Sequence, residues 1–257
     1  MVRVSFTAFV RYVSNIMTDK FEHASENEMP AVISDFLRSL EGGRTAASNA
    51  RKSPFQAYIG SIIDDIHTAD QEAGNGGTEM VEEARKLFDN IPSVQPTDTL
   101  DQYLSFRRQH LCASWVFANV KFGLGSKVDI HQPIIQQFLT GAADHGSLVN
   151  DIYSYDKEAK AYRDGLIEDF VNIVPVLMRL HKHLTEGEAL SMAYKMVLER
   201  EHAMHEELSR FEQEECLDDE TWVFLRAIWA CIAGNTMYCM TSMRYGGEKA
   251  RILGSMV

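Results

Sequence analysis

A chain of 257 residues with 45% hydrophobic content can bury one large core, and no linker-like stretch divides it, so a single domain over residues 1–257 is expected. A formal net charge of -12 excludes nucleic acid and an anionic membrane surface as main partners, since both call for a basic face, and favours metal cations. The cysteines Cys112, Cys216, Cys231 and Cys239 show no C-x-x-C spacing and stand among apolar residues, which argues against a zinc site or disulfide framework and for reduced thiols in the cytosol.

The first predicted element carries Phe6, Phe9, Val10, Val13, Ile16 and Met17 at i, i+3, i+4 spacing, an amphipathic helix that runs on into TDKFEHASE. Arg3, Arg11 and Asn15 interrupt its apolar face, and no apolar run in the chain approaches bilayer-spanning length, so a soluble, cytoplasmic protein is expected. Breakers then follow at EGGRTAASNARKSP, EAGNGG, NIPSVQPTDT, FGLGSKVD, TGAADHG and RDG. Segments of helical length lie between them. Ser53 before Pro54 reads as an N-cap with proline at the first helical position, and Thr185 with Glu188 as a capping box opening a long helix through Phe211. No alternating β-branched run marks a strand. The fold class is therefore all-α, an assembly of about eight to ten helices.

The stretch NDIYSYDKE, residues 150–158, carries the chemistry. On a helix Asn150, Ser154 and Glu158 recur every fourth residue, drifting about 40° and climbing about 6 Å per step, so they form one polar stripe. Such a stripe suits a solvated helix face. It also suits Mg2+, which takes hard oxygen ligands in octahedral geometry, keeps several waters and bridges protein carboxylates to substrate phosphates. An amide, a hydroxyl and one carboxylate would leave the ion with positive charge for an anionic substrate.

The pattern N-D-x-x-S-x-x-x-E, with Lys157 before Glu158, resembles the second metal motif of class I terpene synthases of the fungal and microbial type. GNTMYCMTSMRYGG resembles that family's closing segment, with Tyr238 at the aromatic position and Arg244 and Tyr245 as the Arg-Tyr pair; YLSFRRQH resembles the segment bearing the diphosphate-sensing arginine, here Arg107. For the family's aspartate-rich motif two stretches compete. SIIDDIHTAD offers the adjacent pair Asp64 and Asp65, but the family's spacing to the Asn-Ser-Glu motif suits IMTDKFEHASE, where Thr18 replaces the first aspartate, Asp19 is the second and Glu22 the fifth position. Asp64 and Asp65 then read as a surface or structural pair. Family members usually carry several helices before this motif, whereas 17 residues precede Thr18, so shortened N-terminal helices are expected.

The resemblance implies a class I terpenoid synthase-like helical bundle around a central apolar cavity. It implies a Mg2+-dependent cyclase acting on farnesyl or geranyl diphosphate, with about three ions bound alongside diphosphate and Mn2+ able to substitute. Asp19, Glu22, Asn150, Ser154 and Glu158 become metal ligands, and Arg107, Arg244 and Tyr245 the groups that stabilise the departing diphosphate. Lys157, Tyr238, Trp115 and Gly234 become substrate-binding residues. Helical counting supports three of these: Tyr238 stands two turns from Tyr245 on one face, Gly234 one turn below it, and Trp115 eight residues beyond Arg107 on nearly the same face. The partner is a small prenyl diphosphate, with neither nucleic acid nor membrane, and a homodimer is compatible.

Three rivals stand beside this reading. A catalytically impaired scaffold of the same fold is suggested by Thr18 and the short start. A chain-elongating prenyltransferase would carry two aspartate-rich motifs in place of Asn-Ser-Glu. A di-iron bundle needs two Glu-x-x-His pairs, and Glu199 with His202 supplies one, on a helix whose histidines read as surface.

Overall fold

The computed structural model describes residues 27–41, 53–74, 76–89, 98–167 and 169–246. The predicted first helix, with Thr18, Asp19 and Glu22, lies outside them. Among the described residues there are ten α-helices and no strand: α1 (Met29–Ser39), α2 (Pro54–Ala73), α3 (Gly77–Asp89), α4 (Leu100–His110), α5 (Ala113–Leu124), α6 (Gln136–Arg163), α7 (Ile173–Leu180), α8 (Glu186–Glu214), α9 (Asp219–Thr241) and α10 (Met243–Gly246). A 3-10 turn, Pro133–Ile135, leads into α6. The all-α expectation holds. The described residues fall into two compact units, one ending at residue 89 and joined by 114–130, the other formed by 98–113 and 131–246.

In the first unit α2 begins where the sequence places it. Ser53 is extended, its Oγ accepts the Gln56 N–H at 3.2 Å, Gln56 Oε1 accepts the Ser53 N–H at 2.7 Å, and Pro54 supplies a residue with no N–H to satisfy. The turn into α3 is clamped by Asp70, whose carboxylate accepts the N–H of Gly76 at 2.8 Å and of Thr78 at 2.9 Å. At Gly77 an added Cβ would stand 2.8 Å from Ile66 and 3.0 Å from Phe122, so the start of α3 fits against α2 and α5 only as glycine. Ile59, Ile63, Ile66, Met80 and Ala84 are buried along these helices.

In the second unit α6 is the central element, with α4, α7, α8, α9 and α10 packed on it. Tyr103, Leu148, Ile152, Ile173, Leu177, Ala189, Ala193 and Cys239 join its core. Each fully buried Leu or Ile there contributes roughly 1.5–3 kcal/mol. The α6 helix runs unbroken through TGAADHG, which sequence reading takes as a break. Gly141 explains the difference: a Cβ there would lie 2.9 Å from Met204 Cγ, so this glycine serves the close approach of α8. The Thr185 box opens α8 as expected, Thr185 Oγ1 accepting the Glu188 N–H at 3.4 Å, and the helix continues past Phe211 to Glu214.

Two further expectations are corrected. The α9 helix is long and apolar enough, by length and composition only, to cross a membrane, so one apolar run does reach that length, contrary to expectation. Its Phe224, Leu225, Ile228 and Cys239 are buried while Val223, Met237, Tyr238 and Met240 are exposed. The helix carrying Arg107 also stops early: Leu111 and Cys112 turn the chain, with Cys112 in the left-handed region at φ 59°, before α5 begins.

Candidate active site

The stripe predicted on α6 forms, and it is not a solvated face. Ser154 is buried, and Asn150 and Glu158 are half-buried. Asn150 lies between two partners. Its Oδ1 accepts from Arg107 Nη2 at 3.1 Å, and its Nδ2 donates to the Tyr245 hydroxyl at 2.9 Å. Arg107 reaches this point from α4 because Tyr103 and Leu104 bury the same side of that helix.

Arg107 is 3% exposed, so its charge needs a counter-ion, and the structure supplies Asp151. Arg107 Nη2 donates to Asp151 Oδ1, Tyr103 donates its hydroxyl to Asp151 Oδ2, and the Ile173 N–H donates to the same oxygen at 3.1 Å. Burial alone would lower the guanidinium pKa; the adjacent carboxylate outweighs this and raises it, so Arg107 stays charged. A second guanidinium nitrogen, Nη1, donates to His110 Nδ1 at 2.6 Å, which makes that imidazole an acceptor. Among the described residues Arg107 Nε has no hydrogen-bond partner. A buried donor of this kind is complete only when an acceptor arrives.

Glu158 is held from the loop before α7. Asn172 Nδ2 donates to Glu158 Oε2 at 2.9 Å, and Ser154 hydrogen-bonds the same carboxylate. Burial pushes the Glu158 pKa up, with these two hydrogen bonds pulling the other way. A cation beside the carboxylate would relieve that burial penalty. Among the described residues no three His, Cys, Asp or Glu side chains gather as a metal site, so the donors available are the amide, hydroxyl and carboxylate of α6. All are hard oxygens, which fits Mg2+ and does not fit a soft metal.

Tyr245 arrives by a route the helical count does not anticipate. The α9 helix ends at Thr241, Ser242 is extended at ψ 134°, and Tyr245 sits on α10, so Tyr238 and Tyr245 do not share one continuous helix. Their rings nonetheless meet edge to face at 6.0 Å. Arg244 is half-buried and hydrogen-bonds Tyr245 through its side chain, while burial pushes the Tyr245 phenol up to about 12.

The second unit thus brings together Arg107, Asn150, Ser154, Glu158, Arg244, Tyr245 and Tyr238. Lys157 is exposed beside Glu158, and Gly234 lies on α9, where an added Cβ would meet nothing within 4 Å among the described residues. Trp115 lies beyond the break at Cys112, on α5 in the first unit, so it does not share one continuous helix with Arg107. Asp64 is half-buried and Asp65 exposed on α2, also in the first unit. Sequence reading misses Asp151 and Asn172. The available signals were the acidic neighbour of Asn150 and an Asn just ahead of an apolar helix.

A family model described as terpene synthase family 2, C-terminal metal binding, matches residues 79–203, the span that carries Arg107, the α6 stripe and Asn172. Over this span the chain is similar to the terpene synthases, which supports the resemblance to the class I family. It is similar to "Terpene cyclase 6" of Gibberella fujikuroi, at 28% identity over 57% of this chain and 39% of that protein. "Fusicoccadiene synthase" of Phomopsis amygdali is 24% identical over 95% of this chain and 35% of its own length. The chain therefore spans a little over a third of these curated relatives. Among terpene synthase structures, aristolochene synthase from Penicillium roqueforti aligns with TM-score 0.70 at 20% identity, covering 91% of this chain and 77% of that one. The 2-methylisoborneol synthase of Streptomyces coelicolor A3(2), solved with Mg2+ and geranyl-S-thiolodiphosphate, aligns with TM-score 0.68 at 16% identity over 95% and 79%. These likenesses place the fold within the terpene synthase family.

Proposed function

We propose that this chain is a Mg2+-dependent terpene cyclase that ionises farnesyl or geranyl diphosphate and closes the carbocation to a sesquiterpene or monoterpene, releasing diphosphate. The observation that carries the reading is the position of Asn150, 3.1 Å from Arg107 and 2.9 Å from the Tyr245 hydroxyl. Three motifs far apart in sequence thereby meet at one side chain. The naming of the relatives as cyclases and synthases supports the same chemistry, as does a structural relative solved with Mg2+ and a prenyl thiolodiphosphate.

In this reading Asn150, Ser154 and Glu158 hold one ion, and Asp19 and Glu22 share in holding others. Bound Mg2+ supplies Lewis-acid stabilisation of the diphosphate leaving group, and Mn2+ can take its place. Arg107, Arg244 and Tyr245 donate hydrogen bonds to the diphosphate oxygens. Those from the arginines are charge-assisted and strengthen as negative charge develops on the departing oxygen. Asp151 keeps the Arg107 guanidinium in place while that charge moves. The Tyr238 ring offers its face to the allylic cation, whose positive charge is attracted by the ring quadrupole. A proton lost to base or a water captured then ends the sequence.

The experiment is incubation with Mg2+ and the ten-, fifteen- and twenty-carbon prenyl diphosphates, followed by gas chromatography and mass spectrometry, with an EDTA control. A cyclic hydrocarbon or alcohol that disappears with EDTA is expected from the fifteen- or ten-carbon substrate. Linear elongation products would transfer the chain to the prenyltransferases, and no turnover of any substrate would leave a scaffold of the same fold.

A further inference from the structure

We infer that Asn172 is a positioning residue that sets Glu158 for its metal before any metal arrives, an inference that rests on the metal-site reading above. Asn172 is fully buried, and both of its side-chain polar atoms are engaged. Its Oδ1 accepts the Val174 N–H at 3.0 Å, capping α7, while Nδ2 donates to the Asp151 carbonyl at 2.8 Å and to Glu158 Oε2 at 2.9 Å. One nitrogen can serve both acceptors because of helix geometry. The Asp151 carbonyl points toward the C-terminus of α6, and the Glu158 side chain leans back toward its N-terminus.

The chemical choice of an amide matters. A lysine or arginine in this place would neutralise the carboxylate and compete with the ion. An amide fixes the rotamer and leaves the charge for a cation. The side-chain freedom of Glu158 is lost on folding, so metal binding does not bear that entropy. The same Asn172 ties Glu158 to Asp151, and through Asp151 to Arg107, so the oxygen ligand and the diphosphate-binding guanidinium are set by one connected network.

The test is Asn172→Ser, which keeps a capping oxygen for α7 but gives up the amide donors to Glu158. Product formation is titrated with Mg2+, and Mn2+ binding in the presence of inorganic diphosphate is read separately by electron paramagnetic resonance. The expected result is a roughly tenfold rise in half-saturating Mg2+ and a matching loss of Mn2+ affinity. The rate at saturating Mg2+ stays within about threefold, because the reacting groups are untouched. Unchanged Mn2+ affinity in a folded variant would overturn the positioning role while leaving the site itself intact. Asn172→Thr, also a cap, stands in if the serine variant unfolds, and unfolding of both would reduce Asn172 to a structural strut. Failure of the wild-type protein to bind Mn2+ with diphosphate would instead overturn the metal-site reading.

Discussion

Arg107 Nη2 donates at once to Asn150 Oδ1, at 3.1 Å, and to the Asp151 carboxylate, so a buried ion pair is locked to the Asn150 amide. Removing the carboxylate strands a buried guanidinium. Asp151→Ala is expected to lower unfolding free energy by about 3–5 kcal/mol in urea titration. Tyr103→Phe, which removes one donor to Asp151 and leaves the pair, is expected to lower it by about 1.5–3 kcal/mol. If Asp151→Ala proves no more damaging than Tyr103→Phe, the pair is not the anchor described.

The two competing aspartate stretches predict opposite rankings of activity. Asn150→Ala and Glu158→Ala should each lower kcat/KM by about 100-fold or more, since each removes a group proposed to hold the metal. Asp64→Ala, on α2 of the other unit, should change it by less than about threefold. Steady-state kinetics with the active substrate decides, and the reverse ranking would move the metal motif to Asp64 and Asp65.

Two glycines of α6 separate packing from propensity. At Gly141 an added Cβ meets Met204 Cγ at 2.9 Å, whereas at Gly146 nothing among the described residues lies within 4 Å. Gly141→Ala is expected to destabilise by about 1–3 kcal/mol through overpacking. Gly146→Ala is expected to stabilise by about 0.5–1 kcal/mol, as alanine does in a helix interior. Thermal or urea unfolding of the pair measures the contrast, and shifts of the same sign would contradict it.

Asp70 gives the first unit a pH dependence. Burial alone would raise its pKa, but the Thr78 hydroxyl and the N–H groups of Thr78, Gly76 and Gly77 outweigh that and lower it. A carboxyl with a depressed folded pKa contributes stability above its unfolded value, about 3.9, and loses it as pH falls through the folded value. Asp70→Asn should therefore be less stable than wild type at neutral pH, and the difference should shrink on acidification below about pH 4. Melting curves between about pH 3 and 7 check this, and a difference independent of pH would contradict it.

Much of this was legible in the sequence because it is local. The spacing of Asn150, Ser154 and Glu158 needs only a helix, and the Ser53 and Thr185 caps need only their own first turns. What the sequence hid depends on contacts between elements. Gly141 reads as a breaker until Met204 is seen lying against it. Trp115 shares a helix face with Arg107 only if the helix continues, and Cys112 at φ 59° interrupts it. Tyr238 and Tyr245 meet despite the turn at Ser242, since the chain comes back on α10. Asn172 was invisible because its partners lie 14 and 21 residues away on another helix.

The central claim, that Asn150, Ser154 and Glu158 would hold a divalent ion next to a diphosphate bound by Arg107 and Tyr245, is tested most directly by a crystal structure with Mg2+ and inorganic diphosphate. An ion at about 2.0–2.1 Å from Asn150 Oδ1, Ser154 Oγ and a Glu158 oxygen, with the diphosphate against Arg107 and Tyr245, is the predicted result. Ions bound instead at Asp64 and Asp65, with the stripe still closed on Arg107 and Asn172, would contradict it.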